Sequence, residues 1–160
     1  MPLYFAYGLN MDIADMGRRA PHSRVLGPAV LKRHRFIIMA EGYASVVRDP
    51  RAEVHGLLWD LALADLRPLD RFEGLDRGLY AKITQPVVVA GGARRALVYV
   101  AANAEPGTPK PGYLERILLA AAAAGLPEAY RREIGAWSGA PQARPQRPVA
   151  GVTPRFSRPG

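Results

Sequence analysis

The chain has 160 residues, 49% hydrophobic and 22% charged, which suits one globular domain able to bury its own core. It contains no Cys, which excludes disulfides, thiolate catalysis and cysteine metal sites and fits a reducing, cytoplasmic setting. The formal charge is +8, but residues 1–138 carry all 14 acidic and 18 of the 22 basic side chains, leaving that body at only +4.

The elements follow in chain order. Met1 to Phe5 has no basic stretch ahead of its apolar run, so it does not read as a signal peptide. Leu3 to Tyr7 predicts a first strand closed by Gly8, and Asn10 is placed as the N-cap of a helix beginning around Asp12-Ile13. Val25 to Ala40 predicts one or two strands and Ala44 to Val47 a short one. Asp49-Pro50 predicts a turn, and Val54 to Leu61 a further strand in which Gly56 permits close backbone approach. Ala62 to Glu73 has helical spacing, with Asp65 as N-cap, Pro68 in the first turn and Gly74 as the stop. Leu79 to Val89 and Ala96 to Ala101 predict strands joined at Gly91-Gly92. A Pro-rich connection leads to a helix over Tyr113 to Ala124, whose Leu114, Ile117, Leu118 and Ala121 form one apolar stripe. Its apolar run from Ile117 to Ala124 falls short of the roughly 20 residues of a membrane-spanning helix, so no membrane partner is expected. Pro127 then opens a last helix at its first position.

Residues 139–160 hold five Pro, three Gly and four Arg without periodicity, and read as a flexible tail on a 1–138 domain. A basic tail is one route to nucleic acid, but the nearly balanced body lacks the interleaved aromatic and basic residues of a nucleic-acid-binding face, so no nucleic-acid partner is expected. Strands, a helix, more strands and then helices argue for an α+β fold with a largely antiparallel or mixed sheet.

Two segments carry candidate chemistry. His22, His34 and His55 lack metal-ligand spacing, and there is no nucleophile elbow, P-loop or dinucleotide-binding glycine motif. The segment from Tyr4 to Met11 takes a strand through a glycine turn into a helix start, where free amides can face an anion or an oxyanion. It is equally readable as an ordinary strand end. In the segment from Leu66 to Tyr80, Leu66, Leu69 and Glu73 recur at i, i+3 and i+7, which puts a carboxylate on an apolar face at the negative end of a helix. Burial and the helix dipole there both raise a carboxyl pKa toward the range useful for proton transfer. The alternative is a frayed last turn, with Glu73 in water or paired to Arg71 or Arg77.

Together these segments carry a family resemblance. Phe5-Ala6-Tyr7-Gly8-Leu9-Asn10-Met11 resembles the Tyr-Gly-Ser-Asn opening of the gamma-glutamylcyclotransferase-like family. Leu69-Asp70-Arg71-Phe72-Glu73-Gly74 with Gly78-Leu79-Tyr80 resembles its Leu-Asp-x-x-Glu-Gly block and following Gly-x-Tyr. Ala44 to Val47, Val54 to Trp59, Pro111-Gly112-Tyr113 and Gly125 to Tyr130 match further blocks, so the resemblance spans roughly residues 3 to 134 in consistent order. It implies a small mixed β-barrel-like sheet with flanking helices and a cavity in its mouth. It also implies a cofactor-independent reaction in which the α-amine of a small-molecule gamma-glutamyl amide closes on its own γ-carbonyl, releasing 5-oxoproline and an amine or amino acid. By matched position Glu73 is the general acid/base; Tyr7, Gly8, Leu9 and Asn10 hold the glutamyl end; and Tyr80 and Tyr113 line the pocket and donate hydrogen bonds to the substrate, although either tyrosine also reads as packing. No metal or organic cofactor is implied.

Leu9 departs from the Ser or Thr the family has after the glycine. The departure leaves open the same fold and acid/base acting on a different small carboxylated amide or urea, or a non-catalytic module that binds a small anion. The sequence does not specify an oligomeric state.

Overall fold

A computed structural model describes residues 2–138; the tail expected over residues 139–160 lies outside the described residues. Strands β1 (Leu3–Ala6), β2 (Arg24–Ile38), β3 (Ala44–Asp60), β4 (Tyr80–Val89) and β5 (Gly92–Ala101) close into a barrel in the order β1-β3-β2-β4-β5. All neighbours are antiparallel except β1 and β5, which pair in parallel at Tyr4 and Leu97 and close the ring. Helices α1 (Ile13–Arg19), α2 (Leu63–Phe72), α3 (Tyr113–Ala123) and α4 (Glu128–Gly135) flank it, which is the expected α+β barrel with helices. Phe5, Leu31, Ile37, Ile38, Leu69 and Ile117 are among the fully buried side chains that fill the core.

Gly56 performs the role read from the sequence. A Cβ there would lie 2.2 Å from the Ala6 carbonyl oxygen and 2.9 Å from the Phe5 ring, so β1 crosses β3 only because no side chain intervenes. The β4–β5 hairpin turns on two residues, Ala90 and Gly91, between Val89 and Gly92. In α3, Leu114, Ile117, Ala120 and Ala121 are buried, and Leu118 packs on the core from its margin. The 102–112 connection is pinned to the β2–β3 turn by Gly107 N–H to the Ile38 carbonyl (2.8 Å) and Lys110 N–H to the Gly42 carbonyl (3.1 Å), which fixes where α3 begins.

Several local expectations are corrected. Ala44 to Val47 and Val54 to Leu61 are one strand, and Asp49-Pro50 is a widening within it rather than a turn. Lys32 faces Glu53 while His34 faces Arg48, so residues 49–52 stand opposite Arg33 alone, whose φ of 59° marks the bulge. Asp49 Oδ1 accepts the Arg51 amide at 3.0 Å and stabilises the widening locally. Asn10 is not a helix cap. Residues Leu9–Met11 form a 3-10 turn, and Asp12 caps α1 by accepting the Asp15 amide at 2.9 Å.

Asp65 does not cap α2 either. It lies inside the first turn, buried, and accepts the His22 amide (2.9 Å) and the Ser23 hydroxyl (2.7 Å); Ser23 Oγ in turn accepts the Ala62 amide at 3.0 Å. The helix start is thus capped from the loop after α1, and Pro68 falls in the second turn instead of the first. Pro127 sits at the N-cap of α4, one residue ahead of its expected position.

The Gly56 crossing predicts that Gly56→Ala destabilises the fold by about 3 kcal/mol, because the new methyl meets backbone rather than a yielding side chain. Urea unfolding measures this, and a loss below about 1 kcal/mol would show that β1 does not depend on the crossing.

Candidate active site

The site forms where the end of β1, the 3-10 turn and the last turn of α2 converge. Leu69, fully buried, anchors the inner face of α2, and the Glu73 amide closes the helix onto the Leu69 carbonyl at 3.0 Å. Gly74 adopts φ 70°, a left-handed conformation that ends the helix and turns the chain away as the sequence predicts. Glu73 is left facing inward. Its Oε1 accepts a hydrogen bond from Asn10 Nδ2 at 2.9 Å, and no pair with Arg71 or Arg77 forms.

Glu73 borders a cavity of about 200 Å³. Tyr7, Gly8, Leu9, Asn10, Tyr80 and Tyr113, the other residues singled out from the sequence, all line it. Tyr4, Tyr43 and Tyr99 line it as well, so six of the seven tyrosines in the chain converge on one space. Arg77 stands in its wall, and Arg19 lies behind Asn10. Tyr43, Tyr99 and Arg19 were not singled out from the sequence, while Tyr4 entered only as the start of the first segment and Arg77 only as an alternative partner for Glu73. The three histidines lie elsewhere, with His34 Nδ1 against the Lys32 carbonyl at 2.8 Å and the His55 ring tilted against Tyr130.

Burial pushes the Glu73 carboxyl up from its ordinary 4.5 to about 7, against the opposing pull of the Arg19 charge and the Asn10 hydrogen bond. The residue is half-buried and lines the cavity. The same burial raises Tyr4, Tyr7, Tyr80, Tyr99 and Tyr113, so all five remain neutral phenols at any physiological pH.

Hydrogen-bond direction sorts these phenols. Tyr7 donates to the Tyr99 carbonyl, Tyr80 to the Ala44 carbonyl and Tyr99 to Asp70 Oδ1, so three protons are committed to the scaffold. Tyr4 instead accepts from Asn10 Nδ2 (3.0 Å) and Tyr113 accepts from the Ala44 amide (2.8 Å), which leaves their own protons for another acceptor. The expectation for Tyr80 is therefore refined: it lines the cavity, but its proton is spoken for. In the 3-10 turn, Met11 N–H bonds the Gly8 carbonyl and Asp12 N–H the Leu9 carbonyl, so the Leu9 and Asn10 amides precede the first closing bond and have no acceptor within the turn.

A carboxyl poised near neutrality, two phenolic donors and unpaired amides around one small cavity can hold a polar ligand and move a proton on it. Among the described residues no three His, Cys, Asp or Glu side chains converge as a metal site, and no helix is long and apolar enough to cross a membrane.

Comparison with known proteins places this geometry in context. The model of the AIG2-like family matches residues 53–134, half of the chain. Human gamma-glutamylcyclotransferase is 28% identical over 145 residues, covering 84% of this chain and 77% of its own length, and the mouse protein of the same name is 29% identical with the same coverage. A solved structure titled gamma-glutamyl cyclotransferase superposes with a TM-score of 0.80 at 26% identity, covering 89% of this chain and 90% of that one.

The raised Glu73 pKa has a consequence for stability. Between the unfolded value near 4.5 and the folded value near 7 the native protein holds a proton that the unfolded chain has lost, so stability falls as pH rises through this window. Glu73→Gln removes that slope. Chemical unfolding from pH 4 to 9 is expected to show the variant gaining on the parent by about 3 kcal/mol in total above pH 7, and not at all below pH 4.5. Parallel curves would mean that Glu73 is not desolvated.

Proposed function

The chain belongs to the AIG2-like family, and on that premise we propose that it cleaves a gamma-glutamyl amide by intramolecular cyclisation, with Glu73 carrying the proton. The observation that carries this reading is the buried Glu73 carboxyl, held near neutrality at the wall of a cavity it shares with the Gly8–Asn10 turn.

The chemistry needs little more. Ring closure already joins nucleophile and electrophile in one molecule, so the cavity has only to hold the folded-back conformer. The substrate α-amine attacks the γ-carbonyl carbon, a C–N bond forms, and the carbonyl oxygen takes the negative charge of a tetrahedral intermediate. Ionised Glu73 removes the proton that the attacking nitrogen sheds. The same carboxyl then gives that proton to the departing nitrogen as the original C–N bond breaks, leaving 5-oxoproline and a free amine or amino acid. One group with a pKa of about 7 serves as base and then as acid at neutral pH. The amides of the turn and the free protons of Tyr4 and Tyr113 are the donors available to the glutamyl end and the oxyanion.

A second reading keeps the fold and Glu73 and changes the substrate. Leu9 stands in the cavity wall where the resembled motif has a hydroxyl, so the turn contributes amides and an apolar side chain rather than a third polar contact. A different small carboxylated amide or urea is the class that fits this reading.

Incubation with a panel of gamma-glutamyl amines and amino acids, followed by mass analysis for 5-oxoproline, separates these readings. Glu73→Gln is expected to keep ligand binding and lose turnover by roughly 10²- to 10⁴-fold. In the unmodified protein kcat/KM is expected to fall about tenfold per pH unit below about 7, as Glu73 becomes protonated. Full turnover in Glu73→Gln would sink the proposal, and binding without turnover in both proteins would mark a binding module.

The two tyrosines at Ala44 provide an internal comparison. Tyr80→Phe and Tyr113→Phe each delete one hydrogen bond to that residue and should each cost about 1 kcal/mol of stability. Only Tyr113 has a free proton, so Tyr113→Phe should lower kcat/KM about tenfold and Tyr80→Phe much less. Equal kinetic losses would contradict the donor assignment.

A further inference from the structure

Arg19 lies at the end of α1, nine residues from Asn10 in sequence, and belongs to no motif that the resemblance uses. Its Nη1 donates to Asn10 Oδ1 at 2.8 Å, and its guanidinium lies 3.9 Å over the ring of Phe72, the residue before Glu73. Behind it stands Asp15, whose buried carboxylate approaches Arg19 Nη2 at 3.9 Å, accepts Arg116 Nη2 at 2.7 Å and also receives Arg18. The Arg19 side chain is only 19% exposed.

These contacts fix an orientation. A guanidinium has only donors, so the Asn10 atom facing it must be the amide oxygen. The amide nitrogen is thereby turned the other way, toward the 2.9 Å contact with Glu73 Oε1 and the 3.0 Å contact with the Tyr4 hydroxyl. Because that nitrogen only donates, the Tyr4 oxygen must accept, and the Tyr4 proton is released to the cavity. One arginine thus sets the direction of three hydrogen bonds while its stack on Phe72 holds the helix turn that carries Glu73.

We propose that Arg19 is a positioning residue for Glu73, held by Asp15, orienting the Asn10 amide toward the carboxylate and clamping the adjacent Phe72 ring. The inference rests on the reading of Glu73 as the proton carrier. Arg19 is also the positive charge that pulls on Glu73. The other groups facing that carboxyl are Asn10 from the turn and neutral phenols: Tyr4 and Tyr7 from the β1 side, Tyr80 from β4, Tyr99 from β5 and Tyr113 from α3. Removing the guanidinium therefore takes away the charge that pulls the Glu73 pKa down, leaves Arg77 as the remaining cation in the cavity wall, and lets the Asn10 amide rotate.

The test reads Glu73 directly and through turnover. Side-chain carboxyl carbons are labelled with ¹³C, the Glu73 signal is assigned by its loss in Glu73→Gln, and it is titrated in the parent, Arg19→Gln and Arg19→Lys proteins. In Arg19→Gln the Glu73 titration is expected to move up by roughly one pH unit. The acid limb of kcat/KM should move with it, a loss of about fivefold at pH 7 that disappears near pH 9. Arg19→Lys keeps the charge and should titrate closer to the parent than Arg19→Gln does. An unmoved titration in folded Arg19→Gln overturns the proposal, as does a lysine variant shifted as far as the glutamine one. If no gamma-glutamyl amide is turned over, the proposed reaction fails, while the carbon titration still decides the role of Arg19.

Discussion

The 2.9 Å hydrogen bond between Asn10 and Glu73 is the contact on which the arrangement of the site depends. Burial alone would leave a carboxyl at the end of α2 protonated and inert, because the charged form has lost its water. A strong ion pair alone would hold it ionised, unable to return a proton. Here desolvation leads, and one arginine and one amide pull back, so the group settles at about 7 instead of its ordinary 4.5. That displacement corresponds to about 3 kcal/mol of opposed free energy, a sizeable share of what a domain of this size has to spare. The closed barrel and buried helix faces must supply that difference elsewhere.

Precise placement of Glu73 requires that α2 not move, and both its ends are bolted. At the start, Asp65 and Ser23 exchange bonds with the loop after α1 and with the Ala62 amide. Toward the end, Asp70 accepts both Lys82 Nζ, at 2.8 and 3.0 Å, and the Tyr99 hydroxyl, which ties the helix to β4 and β5. The Tyr99 carbonyl receives the Tyr7 hydroxyl, so the chain entering the 3-10 turn is secured to the same strand. The two halves of the site, distant in sequence, are therefore held against β4 and β5 as well as joined to each other by the Asn10–Glu73 bond.

Much of this was legible in the sequence wherever a residue type admits one explanation. Gly74 in a left-handed conformation, Gly56 beneath a crossing strand and the i, i+3, i+7 pattern of Leu66, Leu69 and Glu73 each follow from sterics or periodicity, and each stands where it was expected. What was not legible concerns residues with two equally good local uses. Asn10 and Asp65 are good helix caps in isolation, yet both side chains bond to residues 42 to 63 positions away, which no local pattern reveals. The Asp49-Pro50 signal was real, but it widens a strand opposite Arg33 of β2 rather than turning the chain. Arg19 was invisible for a related reason: its role is written in the direction of an amide it touches, not in its own spacing.

The tyrosine-rich wall bears on how selectivity can arise with Leu9 in the turn. Beside Glu73 and Arg77, the only charged groups among the described residues of the wall, neutral phenols of fixed direction impose shape and hydrogen-bond polarity at little desolvation cost. Tyr7, Tyr80 and Tyr99 spend their protons on backbone and on Asp70, and so they serve as rigid walls. Tyr4 and Tyr113 keep theirs because each accepts from the scaffold first. Donor positions are thus preset from two sides, one through Asn10 and the other through Ala44, before any ligand enters. A hydroxyl at position 9 would add a freely rotating group able to donate or accept, and would therefore orient a ligand less strictly than these two. With Leu9 there, the proposed recognition rests on donors whose direction the fold itself determines.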